Sequence, residues 1–208
     1  MQIWTEKKAE EFLERDGFPV TRRCFVTNER EAVKKARLLM YPLVVKVSSS
    51  KILHKSDVGG VVTNVITEHE LKKAFRKLKK IRHCEEVMLQ EHVEGTQLLV
   101  GIKADELFSH AIAVGTGGVY TEILHDATFR ICPITQHDAR DMLEGLKIYP
   151  ILKGARGTPP ANLKKLQQFL VKVSKLPKKH PTIKELDINP LFAHQKGCII
   201  ADARIIFS

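Results

Sequence analysis

At 208 residues, with 43% hydrophobic and 28% charged side chains, the chain has apolar material for one large domain or two small ones, and its composition excludes a disordered or fibrous protein. No apolar run approaches the roughly 20 residues of a membrane-spanning helix, and the N-terminal MQIWTEKKAEEF lacks the apolar centre of a secretion signal, so a cytoplasmic protein is expected. A net charge of +10 brings nucleotides, nucleic acid, acidic membranes and acidic proteins into view as partners.

Thr5 is placed to cap a helix running to about Asp16, with Ala9, Phe12 and Leu13 on one face and Gly17 and Pro19 ending it. Cys24 to Thr27 reads as a short strand. Asn28 with Glu31 makes a capping pattern for a second helix that buries Ala32, Val33, Ala36, Leu39 and Met40, and Pro42 stops it. The next strand, VVKV, carries Lys46 among β-branched residues. A strand interior usually excludes lysine, so Lys46 calls for an anionic partner or a path to solvent.

The loop that follows has the ingredients of a phosphate site. Ser48, Ser49, Ser50 and Ser56 offer hydroxyls, and Gly59 and Gly60 let backbone N–H groups approach a ligand. His54 is the most nucleophilic group of the loop near neutral pH, and an imidazole can carry a phosphoryl group covalently. Lys55 could neutralise the transferred charge and Asp57 could hold one ring nitrogen. The plainer reading is a surface loop with an incidental histidine; the company of a lysine, serines and paired glycines favours phosphate.

Val61 to Ile66 reads as the returning strand, and Thr67 with Glu70 as a capping box for the basic helix that contains LKKAFRKLKKIRH. Its cations interleave with apolar residues at helical spacing, as a solvated face opposite a packed one does, and no nucleic-acid motif accompanies them, so nucleic acid is the weaker reading. VMLQEHV, Leu98 to Ala104 and His110 to Val114 read as strands, the last two antiparallel; GTGG breaks the pattern before YTEIL and FRICP. GTGG followed by Glu122 reads equally as a second phosphate loop and as a plain turn. Arg130 and Arg156 are candidate anion contacts. Thr135 with Asp138 starts a helix, Asn162 a longer one to about Lys175, and two strands, Ile183 to Ile188 and Cys198 to Ile206, close the chain. The natural cut lies near residue 85, between an α/β unit (1–85) and a β-rich unit backed by helices (86–208).

In ELDINP, the residues Glu185, Asp187 and Asn189 alternate and so share one face of a strand, with Asp202 expected on its neighbour. Oxygen donors converging from paired strands suit Mg²⁺, which binds one or two protein oxygens together with phosphate oxygens. The four cysteines are far apart with no C-x-x-C pairing and read as reduced thiols.

YPLVVKV, ILHKSDVGGV, LQEHVEG, GTGGVYTEI, FRICP, GARGTPP, ELDINPL and DARI, in that order, make the chain resemble the ATP-grasp subunit of ADP-forming acyl-CoA synthetases, the acetate–CoA ligases, which are relatives of succinyl-CoA synthetase. The resemblance implies an α+β ATP-grasp fold whose two subdomains hold Mg-nucleotide between antiparallel sheets. It implies reversible conversion of acyl-CoA, ADP and phosphate into free acid, ATP and CoA, with a phosphohistidine passing its phosphoryl group to ADP. On these positions a histidine of the alpha subunit would take the phosphoryl group from the acyl phosphate and His54 would be a second phosphohistidine in that relay, with Asp187 orienting it or joining the metal shell; Lys46 would contact nucleotide phosphates, with Ser48, Lys55, Ser56, Gly59 and Gly60 forming the phosphate loop; Gln90, Glu91, His92 and Val93 would meet the adenine; and Asn189 and Asp202 would hold Mg²⁺. A CoA-binding alpha subunit is the implied partner. Gln97 stands where the family usually has a glutamate, and GTGG where a leucine is common at its second position. The competing classes are a non-catalytic ATP-grasp module of a protein acetyltransferase-like assembly and an ATP-grasp carboxylate–amine ligase.

Overall fold

The computed structural model describes residues 2–52, 55–118, 126–155 and 157–208. They form two units, residues 21–93 and residues 1–20 with 94–208. The boundary expected near residue 85 is displaced at both ends by strand pairing. The strand Glu86–Glu91 joins the smaller unit's sheet, and Gln2–Trp4 joins the larger unit's sheet by pairing with Ile205–Phe207.

In the smaller unit, β2 (Arg23–Val26), β3 (Leu43–Ser48), β4 (Val61–Val65) and β5 (Glu86–Glu91) form an antiparallel sheet in the order β2-β5-β3-β4. Two helices, α2 (Glu29–Leu39) and α3 (Glu68–Lys79), supply the apolar side chains that meet one face. Ala32, Ala36, Leu71, Ala74, Phe75 and Leu78 pack with Leu43, Val45, Val87 and Leu89. Both helix starts follow the capping patterns: the Asn28 side chain accepts from the Glu31 N–H, and Thr67 and Glu70 make the reciprocal box. The cations of α3 lie opposite its packed face, with Arg76 forked onto Glu29 at 2.7 and 2.9 Å and Lys72 on Glu68 at 2.7 Å.

The larger unit is built on a seven-stranded sheet, with β1 (Gln2–Trp4), β6 (Thr96–Asp105), β7 (Ser109–Thr116), β8 (Ala127–Ile131), β9 (Ile183–His194), β10 (Gly197–Ile200) and β11 (Ala203–Phe207). Its main path is β1-β11-β9-β6-β7-β8, with β10 paired to the far end of β9. The core face carries Leu98, Val100, Ile102, Ile112, Val114, Leu186 and Ile188 against α1 (Glu6–Arg15), α4 (Gln136–Glu144) and α6 (Leu163–Ser174). Two single-turn helices, α5 (Tyr149–Leu152) and α7 (Leu176–Lys179), complete it.

Further expectations change. The strand expected over Cys198 to Ile206 is two, Gly197–Ile200 and Ala203–Phe207, with Asp202 between them and on neither. β1 is too short to show periodicity and emerges only through its partner. Thr5 holds the N-cap position of α1 without a side-chain cap bond. The closing strand runs to His194, beyond Ile188, so Asn189 lies inside a strand and the hairpin turn follows it. Among the described residues no helix is long and apolar enough to cross a membrane.

Candidate functional site

Alternation along β3 sends Leu43, Val45 and Val47 one way and Val44, Lys46 and Ser48 the other. Lys46 therefore stands in a row across the sheet with Phe25, Met88 and Val61, and Gln90 in the next row of that face, between Arg23 and Val44. Lys46 is only 6% exposed and Gln90 1%. Gln90 Nε2 donates to Thr21 Oγ1 at 2.6 Å, which fixes the amide.

The hinge residues divide. The Glu91 N–H donates to the Arg22 carbonyl at 3.0 Å and its carboxylate takes the Arg22 backbone N–H at 2.8 Å and Nε at 2.6 Å. The His92 N–H goes to the Pro42 carbonyl at 3.3 Å. Among the described residues nothing accepts from the Val93 N–H, so of the four hinge positions it keeps a donor available to a ligand edge.

The loop after β3 is tied at both ends. Glu85 accepts from the Ser50 hydroxyl at 2.6 Å, the Ser50 N–H at 3.2 Å and the Ser49 hydroxyl at 3.4 Å, bonds that hold its carboxyl below the usual range. Ser49 and Ser50 are thus engaged by a carboxylate the sequence did not single out. At the other end the Gly60 N–H donates to the Lys55 carbonyl at 2.7 Å, the Gly59 N–H to the Ser56 carbonyl at 3.1 Å, and the Val47 N–H to the Gly60 carbonyl at 2.8 Å. Gly60 has no room for a side chain: a Cβ would meet Val47 Cγ1 at 2.5 Å and the Lys55 carbonyl at 2.9 Å. Gly59 has φ +63° and open space around it. His54, Glu122 and Arg156 lie outside the described residues.

In the larger unit, register places Asp187 between Gly101 and Arg204, and Glu185 between Lys103 and Ile206, on the face opposite the core. That face is a groove of about 440 Å³ lined by Gly101, Ala111, Ala113, Phe129, Glu185 and Asp187. Burial raises the Asp187 pKa, aided by Glu185 and opposed by Arg204. One strand step on, the Asn189 N–H donates to the Asp202 carbonyl at 3.1 Å, so the break between β10 and β11 sets these two residues side by side. Asn189 Oδ1 accepts the Gly118 N–H at 2.8 Å. Arg130 is exposed and turns Nη1 onto the Phe129 carbonyl at 2.9 Å, away from this cluster's hydrogen bonds.

The donor set fits Mg²⁺. An amide oxygen and a carboxylate are hard ligands, and the amide oxygen has a second lone pair beyond the one Gly118 occupies. Among the described residues no three His, Cys, Asp or Glu converge; Mg²⁺ takes one or two protein oxygens and fills the rest of its shell with phosphate oxygens and water. The thiols offer no alternative chemistry: all four are free, and burial pushes Cys24 and Cys132 to about 11 and Cys198 to about 12.

Asp126 escaped the sequence reading altogether. It is buried and accepts from the Thr116 hydroxyl at 3.1 Å and from the Lys147 and Ile148 N–H groups at 2.9 and 3.2 Å, joining the end of β7 to the start of α5. A lone aspartate in HDAT gives no pattern to find.

A family described as ATP-grasp domain matches residues 1–207. The beta subunit of an ADP-forming acetate–CoA ligase from Pyrococcus furiosus is 40% identical over 97% of this chain and 90% of its own. This chain belongs to the ATP-grasp family of ADP-forming acetate–CoA ligase beta subunits. A 4-hydroxybutyrate–CoA ligase from Nitrosopumilus maritimus is 38% identical over 96% of this chain but only 30% of its own length, so the same domain also occurs within longer chains. In structure, the dinucleotide-forming acetyl-CoA synthetase 1 of Ca. Korarchaeum cryptofilum, solved with coenzyme A and Ca-AMPCP, superposes with a TM-score of 0.92 at 33% identity, covering 100% of this chain and 94% of that one. Another structure of that enzyme, with coenzyme A and Mg-AMPPCP and its phosphohistidine segment pointing towards the nucleotide site, gives 0.84 at 33% identity, over 98% and 92% of the two chains.

Proposed function

We propose that this chain is the nucleotide-handling beta subunit of an ADP-forming acyl-CoA synthetase, active with a CoA-binding alpha subunit. The observation that carries the reading is the backbone bond that sets Asn189 beside Asp202, two residues on from Asp187 along β9. Family membership supplies the reaction. Phosphate displaces CoA from the acyl group, the acyl phosphate passes its phosphoryl group to histidine and releases the free acid, and ADP takes the phosphoryl group to become ATP.

In the last step the N–P bond of the phosphohistidine breaks as a terminal oxygen of ADP forms the new O–P bond. The imidazole leaves with the electron pair. His54 is the residue proposed to carry the phosphoryl group on this chain, and Asp187 is proposed as a second catalytic residue. Lys46, a buried cation, holds the nucleotide phosphates and offsets charge gathering on the transferred group, where a low local dielectric makes a fixed charge effective. The Gly59 and Gly60 N–H groups close the Lys55–Gly60 turn on its own carbonyls, and the turn offers the same phosphates the Ser56 hydroxyl, with the Ser48 hydroxyl from the end of β3. Val93 offers its N–H to the base. Asn189 and Asp202 would hold Mg²⁺, which when bound neutralises charge on the phosphate oxygens.

The test is to incubate the purified chain with Mg²⁺ and ATP labelled in the γ-phosphate, then map acid-labile, base-stable label by peptide, alone and with the alpha subunit. Label on His54 that is lost in His54→Ala, together with loss of ATP formation in that variant, is expected. Undiminished ATP synthesis by a folded His54→Ala protein with its alpha subunit would remove His54 from the relay.

A further inference from the structure

The turn between β7 and the segment that follows it is locked onto two strands. The Gly117 N–H donates to the Gln97 carbonyl on β6 at 3.0 Å, and the Gly118 N–H donates to Asn189 Oδ1 on β9 at 2.8 Å. Gly118 has φ +67°, and a Cβ built on it would overlap Gln97 Oε1. The Gln97 side chain therefore fills the space a residue other than glycine would need, and the turn is held between Gln97 and Asn189.

This has a chemical consequence for Asn189. The two ends of a primary amide differ little in shape, so a strand ladder alone does not decide whether oxygen or nitrogen occupies a given position. A backbone N–H does decide it, because only the oxygen accepts. With one lone pair on Gly118, the second lone pair of the same oxygen is left pointing elsewhere, and a hard cation binds oxygen, not the amide nitrogen.

We propose that Gly118 is a positioning residue for Asn189: its N–H selects the oxygen-forward amide that Mg²⁺ requires, and the backbone carbonyl of Gln97 sets the turn that presents this N–H. The inference rests on the proposed metal role of Asn189 and adds a dependence on two residues outside the metal shell. Groups that orient a metal ligand from behind typically contribute 10- to 100-fold in metal affinity.

Calorimetry of AMPPCP binding with and without Mg²⁺ tests it. In Gly118→Ala the Mg²⁺-dependent strengthening of binding is expected to fall about tenfold while Mg²⁺-free affinity stays within about twofold. Gln97→Ala in the same chain removes the overlapping amide and is expected to restore much of the Mg²⁺ dependence, short of the parent because alanine at positive φ is strained. Unchanged Mg²⁺ dependence in Gly118→Ala, an equal loss with and without Mg²⁺, or no recovery in the double variant would each overturn the proposal. Should Gly118→Ala not fold, the parent protein decides: the Gly118 amide resonance is expected to move when Mg²⁺ joins AMPPCP, and to leave its parent position in Asn189→Ala. An amide indifferent to both would overturn it. A parent protein that binds AMPPCP with no Mg²⁺ dependence at all would instead defeat the metal reading of Asn189 and Asp202.

Discussion

Lys46 and Gln90 of the smaller unit stand inside a four-stranded ladder that fixes their rows, whereas Asn189 and Asp202 of the larger unit stand where the ladder is interrupted. The register of β6 against β9 shifts between Leu98 and Val100, and Asp202 falls in the gap between β10 and β11. In the smaller unit, backbone pairing and burial do most of the placing, with Thr21 fixing the Gln90 amide. In the larger one, bonds between side chains and backbone take over, as Gly118 does for Asn189 and Asp126 does for the start of α5. The difference is physical. A ladder sets which face a side chain occupies, but at a break the backbone leaves donors and acceptors that side chains must satisfy.

The contrast can be broken at three positions. Asp126→Ala has the largest expected effect, a loss of roughly 3 kcal/mol, because it strands two backbone N–H groups and a hydroxyl in a buried place. Urea denaturation measures it, and a loss below that of an ordinary surface substitution would mean that the ladder alone holds this region. Lys46→Met is read from binding: in protein that remains folded by circular dichroism, Mg-nucleotide affinity drops by about 2 kcal/mol, roughly 30-fold. Unaltered affinity would detach Lys46 from the phosphates.

Asp187→Asn is the smallest and is read from its sign. Burial raises the native pKa above the unfolded value, so the native state holds the proton more tightly. The stability this group contributes is present below the unfolded pKa and is lost as pH rises through the native one. Parent and Asp187→Asn should therefore match in acid and separate in the variant's favour towards neutral pH, while phosphoryl transfer declines. Unfolding curves across pH that show the parent more stable at neutrality would make Asp187 a net structural partner of Arg204.

The fold was legible wherever local chemistry and tertiary packing agree. The capping boxes at Thr67 and Thr135 and the Asn28 cap stand as read, as does the shared face of Glu185 and Asp187, because these are set by neighbours within a few residues. The unit boundary was not, since whether Gln2–Trp4 and Glu86–Glu91 belong to one sheet or the other depends on strands far away in sequence.

By itself the sequence determined the element types, the buried lysine in a β-branched strand and the alternating acids of ELDINP, because propensity, capping and period act locally. Only the tertiary structure decided which of these groups are already engaged. It gave Ser49 and Ser50 to Glu85, the Glu91 and His92 N–H groups to Arg22 and Pro42, and Asn189 Oδ1 to Gly118. Each is a bond between residues brought together by folding, and no spacing along the chain encodes it.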